Sequence, residues 1–163
     1  MTIFDVKHKR FGSAPWIPSI VAIDKTSGEV SFGNQPSNVS NDNYLATNWK
    51  LLVGESRAKV QEEIAHNPEL AAALSPFENN IQGLLNSFIK HVLDSIRGEE
   101  FTEKPEMLVG IPVSEGFEDS EWRRRYREAV THSFVIAEYP KPKFFNEAFA
   151  TFQFHFNRGT FSN

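Results

Sequence analysis

Two short apolar runs alternate with two helix-like stretches between Glu106 and Phe156, and this alternation constrains the fold more than any other feature. "EMLVGIP" is an apolar run stopped by Pro112 and reads as a buried strand. "DSEWRRRYREAVTHS" reads as a helix capped by Asp119 or Ser120, with Trp122, Tyr126, Ala129 and Val130 on one face. "FVIAEYP" is a second short apolar run and reads as a second strand. In "KPKFFNEAFATFQFHF", Phe145, Phe149, Phe152 and Phe156 step by four, three and four residues, the stripe of a helix that buries its aromatic face. The alternation of Phe152, Phe154 and Phe156 also permits a strand. Strand, helix, strand, helix is a βαβα unit, which predicts a parallel sheet covered by helices.

Upstream, "WIPSIVAIDKTSGEVSFGNQ" reads as a hairpin, with "KTSG" supplying the turn. The polar "NQPSNVSNDN" reads as a loop, and "GESRAKVQEEIAHNPELAAAL" as helix broken near Asn67-Pro68. "SPFE" fits a capping box, Ser75 with Glu78, that opens a long helix with Pro76 at its first position. Ile81, Leu84, Leu85, Phe88, Val92 and Ile96 would form its apolar face, and Gly98 its stop. The divisions expected are 1–40, a hairpin region; 41–97, a helical insertion; and 98–163, the βαβα unit.

Composition narrows the function classes. A net charge of −4 argues against a general nucleic-acid coat. With no cysteine, disulfide and thiolate chemistry are excluded, and the five histidines show no ligand-like spacing, so no metal site made of side chains is expected. No stretch approaches the ~20 apolar residues that span a bilayer, and a cytoplasmic protein with no membrane partner is expected.

Ligands of a βαβα unit gather at the carboxyl ends of its strands. At one end stands "VGIPVSEGFEDSEWRRRYREAV", at the other "PKFFNEAFA". This pairing resembles the DnaK-type heat-shock chaperones and the wider actin-like ATPase superfamily. There a strand ends in V-P before a loop and helix, and a later strand leads into I-N-E-P-T-A-A. In the same order, "IPSIVAIDKTSGEVSFGNQ" is similar to that family's T-P-S-x-V-A-F hairpin, and "NWKLLVG" to its A-K-R-L-I-G. The resemblance covers most of the chain from Pro18 to Gly159. It implies an α/β fold: part of a ribonuclease-H-like sheet (subdomain IA) with a helical IB-type insertion.

The resemblance also implies site residues. Lys50 stands where the family's lysine reaches the γ-phosphate and attacking water, and Glu147 where its glutamate helps to orient water. Pro112 and Arg123 stand at the positions that relay nucleotide state. Mg-ATP would be the cofactor. Two glycine-rich phosphate turns of the family, D-L-G-T-T and D-x-G-G-G-T, do not occur in these 163 residues. The family's proline after the glutamate is Ala148 here. The expected function is therefore part of a nucleotide-binding lobe completed by sequence outside this chain. The alternative is a nucleotide-independent interaction or assembly module. Its partners would be another protein chain, the rest of a parent ATPase, or a second copy.

Plainer roles stand beside these. Glu147 fits a first-turn carboxylate favoured by the helix dipole by ~0.3–1 kcal/mol. Lys50 fits a solvated lysine, and Pro112 a strand terminator. Arg123, Arg124, Arg125 and Arg127 lie among Glu118, Asp119, Glu121 and Glu128, the pattern of a charge-paired outer face.

Overall fold

A computed structural model of the chain describes residues 19–33, 42–96, 104, 106–111 and 120–146. The expected hairpin forms: β1 (Val21–Asp24) pairs antiparallel with β2 (Val30–Phe32), Ile23 facing Val30. Its turn is held by the Asp24 carboxylate, which accepts from the Thr26 and Ser27 amides at 2.9 and 2.6 Å. Gly28 closes the turn at φ 72°, a conformation that costs glycine little.

A strand not anticipated from the sequence completes this sheet. β3 (Asn43–Ala46) pairs antiparallel with the other edge of β1, giving the order β2-β1-β3. It lies inside the stretch 41–97 that was expected to be helical. A 3-10 turn, Trp49–Gly54, follows it.

α1 (Arg57–His66) is capped by Ser56, which accepts from the Lys59 amide, and α2 (Pro68–Leu74) by Asn67, which accepts from the Leu70 amide. The break at Asn67-Pro68 is thus where the sequence placed it.

The capping-box reading of "SPFE" is corrected. Ser75–Phe77 is a 3-10 extension of α2, and Glu78 and Asn79 take left-handed φ values of 56° and 54°. The Asn79 amide donates to the Leu74 carbonyl and the Glu78 amide to the Ser75 carbonyl. These are the two bonds of a Schellman motif, so "SPFE" ends one helical run and does not start the next. α3 (Ile81–Ile96) begins beyond it, with Asn80 Oδ1 accepting from the Gln82 amide at 2.9 Å. Among its described side chains, Leu84, Leu85 and Leu93 are buried in the core, while Val92 is only partly covered.

The βαβ unit also forms, with one shifted strand. β4 (Leu108–Ile111) is parallel to β5 (Lys143–Asn146), and α4 (Ser120–Ile136) joins them. "FVIAEYP" is not the second strand. Trp122, Tyr126, Val130 and Phe134 are all buried at helical spacing, so the stripe carries α4 through Ile136. A second Schellman motif stops it: the Tyr139 amide donates to the Phe134 carbonyl and the Glu138 amide to the Val135 carbonyl. Glu138 sits at φ 60° where a glycine is usual. Phe145 and Asn146 consequently lie in β5, not in the following helix; the remaining phenylalanines of the stripe lie outside the described residues.

The fold class is α/β. Two small sheets are described, three antiparallel strands and two parallel ones, in place of the single sheet expected. One hydrophobic cluster joins Val21 and Ile23 of β1, Leu74 of α2, Leu84 of α3, Ile111 of β4 and Val130 of α4.

Candidate functional site

β4 and β5 end together, Ile111 in register with Asn146. α4 connects these strands, so its first turns follow the carboxyl end of β4 along the chain. The 3-10 turn that carries Lys50 packs against that part of α4. The Trp122 indole N–H donates to the Leu51 carbonyl at 3.2 Å, and Arg125 Nε donates to the Gly54 carbonyl at 2.7 Å. Gly54 lies against the indole ring itself, since a Cβ there would fall 2.3 Å from a ring carbon. The Trp122 ring in turn stacks on Tyr126 at 5.1 Å.

The turn is also fixed from the sheet side. Trp49, 1% exposed, donates its indole N–H to the Ser19 carbonyl at 2.9 Å and meets Phe88 edge-on at 5.3 Å. Lys50 is thus a half-buried cation on a turn held by α3, α4 and the chain leading into β1.

Two of the four sequence-derived site residues can be placed. Lys50 lies on the 3-10 turn, and Arg123 lies half-buried on the first turns of α4, the element that grips it. Pro112 and Glu147 lie outside the described residues. In sequence they follow Ile111 and Asn146, the register pair at the strands' carboxyl ends.

The arginine run divides by role. Arg124 contacts Glu121 and Glu128, at 2.8 and 2.7 Å, and these bonds raise its pKa above the ordinary arginine value. That guanidinium belongs to a charge-paired outer face, as the sequence suggested. Arg125 donates to the Gly54 carbonyl and also lies 3.7 Å from Glu121, and Arg127 lies over the Phe144 ring at 6.0 Å. The roles of Gly54, Trp122 and Arg125 in holding the Lys50 turn were missed. A glycine closing "NWKLLVG" was the one available hint.

A polar cluster ties α3 to α4 beneath the site. Gln82 Nε2 lies 2.8 Å from Asn86 Oδ1, 3.1 Å from the Ala129 carbonyl and 3.0 Å from Ser133 Oγ. Ser133, 1% exposed, has its hydroxyl 2.7 Å from Asn86 Oδ1.

Among the described residues, no group of three or more histidine, aspartate or glutamate side chains is placed to share a metal ion. No described helix is long and apolar enough to cross a membrane. Comparison with protein-family models, curated proteins and solved structures gave no match.

Proposed function

We propose that this chain is part of the nucleotide-binding lobe of a DnaK-type or actin-like ATPase, completed by phosphate-binding turns from outside these 163 residues. One observation carries this reading: the turn bearing Lys50 is hydrogen-bonded to the first turns of α4, which bear Arg123, and α4 is the crossover that joins the parallel strands β4 and β5. A parallel βαβ unit places its ligands at the carboxyl ends of its strands.

The chemistry suits such a place. Phosphoryl transfer needs fixed positive charge against the charge that develops on the phosphoryl oxygens. Lys50 supplies an ammonium on a turn with little freedom to move. Glu147, by resemblance, would accept a hydrogen bond from the attacking water. Pro112 and Arg123 would transmit the state of the site through α4. Magnesium, when bound with ATP, would neutralise phosphate charge.

The test is single-turnover hydrolysis by the complete ATPase that contains this lobe. Lys50→Ala and Glu147→Gln should each slow it by about 10²-fold or more. Unchanged rates in both variants would remove their assigned roles.

A second reading is favoured by the opposite end of the unit. Leu108 is 62% exposed at the start of β4, and Val135 and Ile136 are 51% and 53% exposed at the end of α4. Parallel sheets usually have both faces covered. Large exposed apolar side chains there suit an interaction or assembly module that does not need nucleotide. Light scattering tests self-assembly: a defined oligomer that Leu108→Ser dissolves supports it, and a monomer throughout contradicts it.

A further inference from the structure

A cleft of about 390 Å³ opens between the end of β3, the 3-10 turn, α1 and α2, and no α4 residue lines it. Its lining is apolar at Leu51, Leu52 and Leu70, with Leu51 40% exposed. Among the described residues, its charged lining consists of three carboxylates and one ammonium. Lys59 pairs with Glu55 at 3.4 Å, which leaves Glu63 and Glu69 with no ion-pair partner among the described residues. The described lining therefore carries two uncompensated negative charges (three carboxylates less one ammonium) beside leucine side chains.

We propose that this cleft docks a short segment of a partner protein in which a large aliphatic side chain stands next to lysine or arginine. The volume is near the lower bound of ligand pockets, about 300 Å³, and suits one or two side chains. The aliphatic group covers Leu51 and Leu52, while the cation meets Glu63 and Glu69. An acidic segment is rejected by the same two carboxylates, because like charges brought together at an interface are costly. This site does not depend on nucleotide binding and stands whether or not the chain belongs to an ATPase.

Calorimetry on the full chain tests it with two end-blocked pentapeptides, one alternating leucine with arginine, the other leucine with glutamate. The arginine peptide should bind at least about tenfold more tightly than the glutamate peptide. Glu63→Lys/Glu69→Lys and, separately, Leu51→Ser should each weaken it by at least about tenfold, with circular dichroism unchanged. Should the charge reversal disturb folding, the near-isosteric Glu63→Gln/Glu69→Gln pair carries the test, again by lost affinity. Equal binding of both peptides, binding of neither, or affinity untouched by the variants would overturn the proposal. So would self-association abolished by the same variants, which would give the cleft to a second copy of the chain.

Discussion

Gly54 and Trp122 are in direct contact, and the contact leaves no room for a methyl group: a Cβ on Gly54 would stand 2.3 Å from the indole. Two hydrogen bonds, from Trp122 to Leu51 and from Arg125 to Gly54, frame that contact. Together they fix the turn that carries Lys50 relative to α4.

Gly54→Ala should therefore destabilise the protein by about 1–3 kcal/mol, the usual cost of overpacking. At this chain length the melting temperature should fall by roughly 2–12 °C. Trp122→Leu opens space at the same place, so the double variant should lose less than the sum of the two single losses. Thermal denaturation followed by circular dichroism measures both. Additive losses would mean that the two residues do not share the strain.

Ser133→Ala removes the buried hydroxyl that meets Gln82 and Asn86 between α3 and α4. The partners left behind should cost about 1–3 kcal/mol. In urea the midpoint should drop while the slope stays constant, since the surface exposed on unfolding does not change. A midpoint equal to that of the parent protein would show that water replaces the hydroxyl at no cost.

Glu78 and Glu138 each occupy the left-handed position of a Schellman motif. Glycine takes that conformation without the steric cost that an L side chain meets. Glu78→Gly and Glu138→Gly should each stabilise the chain by about 0.5–1 kcal/mol. Lys104 tempers the second gain, for its ammonium contacts the Glu138 carboxylate at 3.8 Å. Loss of stability in both variants would contradict the left-handed assignment.

Asp24 gives the turn a pH dependence. Hydrogen bonds from the Ser27 amide, the Ser27 hydroxyl and the Thr26 amide favour its carboxylate and lower its pKa. A pKa lowered on folding contributes stability above the unfolded value, and that contribution is lost as pH falls through the folded value. Proton titration by NMR should find the Asp24 midpoint below the ordinary carboxylate range. Asp24→Asn should flatten the acid limb of the stability profile. A midpoint at or above the ordinary value would contradict these hydrogen bonds.

Local chemistry made the hairpin, the Asn67-Pro68 break and the α4 stripe legible in the sequence. Each is set within a few residues, by turn chemistry, a proline or helical periodicity. The misreadings have the opposite character. "SPFE" carries the residues of a capping box, yet two glutamates in left-handed conformations mark helix ends where no glycine announces them. "FVIAEYP" is apolar enough for a strand, but Phe134 continues the stripe of α4 into the core. β3 was missed because its burial comes from pairing with β1 and packing on α2, which "NYLA" does not advertise. At the candidate site, the resemblance singled out Lys50 and Arg123. The bracing of the Lys50 turn by Gly54, Trp122 and Arg125 was not legible, because those hydrogen bonds join residues 71 positions apart.

The most direct test of the nucleotide-lobe proposal is a heteronuclear NMR titration of the full chain with Mg-ATP, raised to about 10 mM because a lobe without its phosphate turns should bind weakly, with a Kd near 1 mM or above. Shifts concentrated in Asn48–Gly54, the first turns of α4, Ile111 and Asn146, and lost in Lys50→Ala, are the expected result. No shifts at that concentration, or scattered shifts that Lys50→Ala leaves unchanged, would contradict the proposal.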